Sequence, residues 1–204
     1  PMNQLRSRAR AQQEAFNLQA RHILLGALWL VLSACSGNPR TSGNPLEEAS
    51  VVSVTLPEFK TGPGTTLHWH RDLVWVDDPE GRFQRRADVL QRALEDEFER
   101  KGYRWVAGDD EATYDVLAVV ILGELKDHKE MQEFFGLYPA LSKPARGYGL
   151  GTILVAITAA GTSDVVWRGA LEVYTDPDKM PVAQREQRLR WAAVKLLESI
   201  PTLP

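Results

Sequence analysis

The chain of 204 residues contains a single cysteine, which excludes an internal disulfide framework and every zinc or iron–sulfur site built from several thiolates. A basic excess is missing too: 24 Lys+Arg stand against 27 Asp+Glu, for a formal net charge of −3. No surface is therefore equipped to displace counterions from a nucleic-acid backbone, and nucleic acid is dropped as a partner. No uninterrupted apolar run reaches the roughly 20 residues that a membrane-spanning helix needs. There is no repeat of 20 to 50 residues, no Gly-x-Ser-x-Gly nucleophile elbow and no His-Glu-x-x-His zinc helix. What is present, 44% hydrophobic and 25% charged residues, is the composition of an ordinary globular domain.

The N-terminal region has a different character. Twelve uncharged residues, Ile23 to Ala34, follow Arg21 and the more distant Arg6, Arg8 and Arg10. A basic segment followed by a short apolar one reads as a signal peptide over residues 1–34. It ends in Leu32-Ser33-Ala34-Cys35, which resembles the lipobox of bacterial lipoproteins. The resemblance implies that the Cys35 sulfur takes a diacylglyceryl group and that cleavage falls just before it. A thiol is nucleophilic enough for that transfer. The alternative, a buried core cysteine, leaves the basic flank and the spacing as coincidence. Ser36 follows, and by analogy with enterobacterial sorting it favours the outer membrane, at its periplasmic face. The expected partners are the membrane, through lipidated Cys35, and an unknown envelope protein. Removing residues 1–34 takes away four arginines and one glutamate, moving the net charge from −3 to −6.

After Cys35, residues 36–45 carry Ser-Gly-Asn-Pro twice, and residues 35–50 show no apolar period, so a flexible tether is expected. About 15 residues of such coil span roughly 20 Å and reach about 50 Å at most. The domain is expected over 51–204. Val51 to Leu56 reads as a first strand, and Thr66 to Val76 as a second with Leu67, Trp69, Leu73 and Trp75 on one face. Val89, Leu90, Ala93, Leu94 and Phe98 recur at helical spacing between Phe83 and Lys101. Asp96 with Arg100 and Glu97 with Lys101 are expected to pair on the wet side of that helix, and Gly102 to close it in the left-handed conformation. Tyr103 to Val106 suits a short strand, and Tyr114 to Leu125 a central strand apolar on both faces. A hairpin follows, with arms Thr152 to Ala159 and Val165 to Tyr174, the second packed on one face and wet along Arg168 and Glu172. A last helix runs from Pro181 to Ser199, with Leu189, Ala193, Leu196 and Ile200 as its buried stripe.

Four junctions in this order carry a resemblance. They are Phe98-Glu99-Arg100-Lys101-Gly102-Tyr103-Arg104, Tyr114-Asp115-Val116-Leu117, Gly151 to Val155 leading into Val166-Trp167-Arg168-Gly169, and Leu196 to Pro201. Together, over roughly residues 51 to 201, they look like the bacterial lipoprotein family called domain of unknown function 4136. The helix-to-Gly-Tyr junction and the Trp-Arg-Gly carry most of it. The Ala159 to Asp164 turn and the Tyr-Pro-Ala-Leu insertion depart from the family pattern. The family name implies no catalytic residues.

Among candidates for chemistry, His68 and His70 share one strand face with their Cα atoms about 7 Å apart, near Asp72. That spacing suits a metal if a third ligand arrives, against a plainer reading as a solvated polar face. Gly147, Gly149 and Gly151 precede a strand rather than opening a helix, so they read as turn glycines, not a phosphate cradle. Asp109-Asp110-Glu111 and Asp176-Pro177-Asp178 lack the ligand spacing of a calcium loop and read as solvated turns. Phe134, Phe135 and Tyr138 form the candidate partner contact, against a reading as a short helix covering the sheet. Arg185, Arg188, Arg190 and Lys195 on the last helix read as a solvated face, with anionic lipid or cell-wall polymer as the alternative.

The expectation is an α/β (α+β) domain, a mixed and mainly antiparallel sheet with two packed helices, serving as a non-catalytic interaction or envelope-maintenance module with no cofactor. A small-ligand or metal-binding lipoprotein is the alternative, and an envelope hydrolase the third reading.

Overall fold

Seven strands form one open, mixed sheet, and its long strands are rich in β-branched residues. The computed structural model describes residues 44–204 except 77, 79, 124–126, 140, 142–146 and 177–179. Leu32, Ser33, Ala34 and Cys35 lie outside the described residues. The strands are β1 (Ala49–Thr55), β2 (Thr66–Trp69), β3 (Val74–Trp75), β4 (Arg104–Trp105), β5 (Tyr114–Leu122), β6 (Gly149–Ala159) and β7 (Val165–Thr175). Their order is β1-β7-β6-β5-β2-β4, with β3 also on β5. The long pairings β1/β7, β7/β6 and β6/β5 are antiparallel, and the short ones of β2, β3 and β4 are parallel.

Two helices, α1 (Gln84–Arg100) and α3 (Val182–Leu196), cover one face. Leu90, Leu94 and Phe98 of α1 and Ala193 and Leu196 of α3 meet Val116, Val120, Val155, Trp167 and Leu171 of the sheet in the main core. Arg85 beside Glu186 at 3.3 Å joins the two helices near their starts, and Lys101 Nζ donates to Ile200 O at 2.8 Å just past their ends. The helices therefore run parallel. α1 ends as Gly102 predicts: at φ +93° it lets Gly102 N–H donate to Glu99 O and Tyr103 N–H to Phe98 O, the Schellman pattern.

Several expectations need correction. The expected strand from Thr66 to Val76 is divided, because Trp69 pairs Val116 and Val74 pairs Val119, leaving two surplus residues that loop out. Gln91 Oε1 accepts the freed Leu73 N–H at 3.0 Å. The Glu97–Lys101 pair does not form, since both side chains are buried. Glu97 instead receives two hydrogen bonds from Arg100, at 2.7 and 2.5 Å. The supposedly wet face of β7 is covered: α2 (Lys129–Phe135) and the chain after it lay Phe135 and Leu137 against Val119, Ile121, Leu154, Ala156 and Ala170 in a second core. Glu172 is consequently 5% exposed, and it accepts Leu141 N–H at 2.9 Å. Ordered structure also begins earlier than residue 51. The Asn44 side chain accepts Leu46 N–H at 3.1 Å, a 3-10 turn covers Pro45–Glu47, and Ala49 already pairs with Val173. The Asn-Pro that suggests coil acts as a cap.

Candidate functional site

The starts of α1 and α3, together with β3, β5, β6, β7, Asp176 and Met180, border a half-open cavity of about 100 Å³. Its lining is almost wholly apolar: Trp75, Leu122, Ile153, Val173, Met180, Leu189, Trp191 and Ala192. Alternation on the strands explains how they converge, because Ile153 and Val173 point to the same face as the main core. Charged residues join this lining: Arg86 from the first turn of α1, Arg185 and Arg188 from α3, and Asp176 after β7. Arg86 stands over the Phe83 ring at 4.8 Å, and Phe83 in turn packs on Trp75 with centroids 5.2 Å apart. Arg188 lies over Trp191 at 5.6 Å, donates to Tyr174 O at 2.9 Å and donates to Leu46 O. Burial lowers its pKa from the ordinary arginine value. The Trp75 indole N–H is buried without an acceptor among the described residues.

This constellation escapes sequence reading because its members come from helix starts and strand ends far apart in the chain. The one signal available was chemical: the first turns of both long helices carry arginine and no acidic residue, contrary to the usual bias.

The residues singled out beforehand are dispersed. His68 turns to Asp115, with Nδ1 and Oδ1 3.0 Å apart, while Gly161 N–H donates to Asp115 Oδ2 at 3.1 Å. The pair thereby ties β2 to β5 and to the β6–β7 turn, leaving His70 and Asp72 exposed in the following bend. No group of three metal-ligating side chains occurs among the described residues. Gly149 and Gly151 sit inside β6, where a Cβ would approach Thr175 to 3.1 and 3.0 Å. They serve close strand packing. Asp109–Glu111 is a 3-10 turn, and Pro177 and Asp178 lie outside the described residues. Phe135 belongs to the second core, 1% exposed, so it is corrected from partner contact to packing residue. Phe134 and Tyr138 remain at the surface, 53% and 66% exposed. On α3, Arg190 is exposed, whereas Arg188 is engaged with backbone carbonyls and does not belong to a solvated face.

No family model matches the chain, and no curated protein does. Solved structures do. A DUF4136 family protein from Bacteroides thetaiotaomicron is 13% identical, covering 74% of this chain and 95% of its own, with a TM-score of 0.50. A PelC dodecamer from Paraburkholderia phytofirmans is 9% identical over 74% of this chain and 95% of its own, at a TM-score of 0.44. Of these two, the first identifies a shared fold. It carries the family designation to which the order of sequence junctions points, so the expected resemblance holds at the level of fold.

Proposed function

We propose that this chain is a bacterial lipoprotein, held through lipidated Cys35 at the periplasmic face of the outer membrane, whose domain acts by non-covalent binding and not by catalysis. The observation that supports the reading is the joint between the chain entry and the cavity. Arg188 lines the cavity and also holds Leu46 O, two residues after the first described residue. The nine residue-to-residue steps from Cys35 to Asn44 reach at most about 30 Å, so a lipid on Cys35 would keep the cavity end of the domain close to the bilayer surface. Two acyl chains suffice for stable anchoring. A second reading, favoured by the exposed Phe134 and Tyr138, is contact with an envelope protein through these two rings.

The anchor is tested by growing the chain in its bacterial host and weighing the mature N-terminus. Cleavage before a diacylglyceryl-modified Cys35 is expected, and Cys35→Ser should leave the signal peptide attached and abolish lipid labelling. A bare thiol with residues 1–34 still present would overturn the reading.

A further inference from the structure

We infer that the cavity at the joint start of α1 and α3 is a binding site for an anionic amphiphile: a carboxylate or phosphate head on a single acyl tail. The inference rests on the reading of the domain as a binding module and names what that module holds.

The tail is argued from the wall. A dry, apolar cavity of about 150 Å³ is large enough for benzene, so about 100 Å³ lined by Leu122, Ile153, Val173, Met180 and the two tryptophans seats the end of one hydrocarbon chain. A sterol would not fit. A free phosphate ion would gain nothing from such a lining, because burying charge against apolar groups is unfavourable.

The head is argued from two features. Among the described residues three guanidinium groups and one carboxylate share this lining, a net positive setting that favours a carboxylate or phosphate; Arg188 is held by Tyr174 O and Leu46 O, so the head is assigned to Arg185. Because α1 and α3 run parallel, the positive ends of both helix dipoles also lie at this end of the helix layer. At α1 that charge is partly answered: Asp78 accepts Arg82 N–H at 2.9 Å and Phe83 N–H at 2.7 Å. At α3 it is not answered in the same way, since Pro181 supplies no side-chain cap and the first turn holds Arg185 and no acid. The adjacent carboxylate, Glu186, pairs with Arg85 across the two helices.

The test uses the intact chain in phosphatidylcholine nanodiscs and four photoreactive probes carrying a diazirine near the tail end. Three are eight-carbon chains ending in a carboxylate, a phosphate monoester or a trimethylammonium group; the fourth is a short-chain phosphatidylglycerol. After illumination, labelled peptides are mapped by mass spectrometry. An anionic probe should label peptides containing Leu122, Met180 or Trp191, at least about tenfold more than the ammonium probe, and Arg185→Glu should lower that labelling about tenfold. Labelling by the free-acid or monoester probes alone supports a single-chain ligand; equal or stronger labelling by the two-chain phosphatidylglycerol overturns the single-tail proposal in favour of a membrane lipid. Ala192→Leu, which fills the cavity and keeps every arginine, should reduce labelling by all anionic probes alike. Equal labelling by the ammonium probe, labelling confined to other peptides, or indifference to both substitutions in folded protein would overturn the proposal. None of these outcomes depends on whether Cys35 carries lipid, so the anchor and the site fail separately.

Discussion

Gly169 shows how much a single methyl group decides. Trp167 and Gly169 lie on the same side of β7, and a Cβ at Gly169 would collide with the Trp167 ring and come within 3.1 Å of Leu196 Cδ1. The indole therefore lies across the glycine and is wholly buried under α3. Arg168, between them, faces the opposite side and packs its guanidinium on Gly136, whose own Cβ would sit 3.4 Å away. Gly136 is left-handed at φ +56° and ends α2. The Trp-Arg-Gly junction thus joins the two faces of the sheet. Gly169→Ala should cost about 1–3 kcal/mol through overpacking, read as a lowered urea midpoint with unchanged slope. A midpoint equal to wild type would show that the ring can move aside freely.

At the scale of elements, α2 is the least legible from sequence and the most consequential for the second face of the sheet. Its seven residues end in two adjacent phenylalanines, which necessarily point in different directions on a helix. Phe135 enters the second core while Phe134 stays exposed. Phe135→Ala should destabilise the domain by about 3–5 kcal/mol. Phe134→Ala should stay within about 0.5 kcal/mol, as surface changes do, and both are checked by chemical unfolding. Reversed magnitudes would mean that the segment turns its other side to the sheet. Periodicity finds α1 and α3 because apolar positions recur over several turns, with seven buried residues in α1 and three in α3. It fails for α2 because two turns carry too few.

At the scale of the molecule, the end of the chain closes the structure over the far ends of the parallel helices. Lys101 Nζ donates to Ile200 O, Tyr103 Oη donates to Pro201 O at 3.1 Å, and Leu203 N–H donates to Lys101 O at 2.7 Å. Gly102 makes room, since a Cβ there would stand 3.0 Å from that of Leu203. Burial pushes the Tyr103 hydroxyl above its ordinary pKa, with its contact to Thr61 opposing. Removing residues 201–204 takes away two of these hydrogen bonds and the Leu203 packing. At about 0.5–1.5 kcal/mol per bond, the loss should lower Tm by several degrees, measured by circular dichroism. An unchanged Tm would show that the final residues cover the domain without holding it. This clasp leaves the opposite ends of α1 and α3 with the arginine-lined cavity.

Sequence by itself determined the long helices, the central strand apolar on both faces and the Gly102 stop. These follow from local period and backbone stereochemistry, which need no knowledge of distant neighbours. It also singled out Cys35, since one thiol after a basic and apolar leader is a local pattern. Only the tertiary structure decided that α1 and α3 lie parallel, that Phe135 is core while Phe134 is surface, and that Arg86, Arg185 and Arg188 share one apolar cavity. Those facts depend on which elements meet across the sheet, and charge or burial at a meeting point is a property of pairs that no single stretch of chain contains.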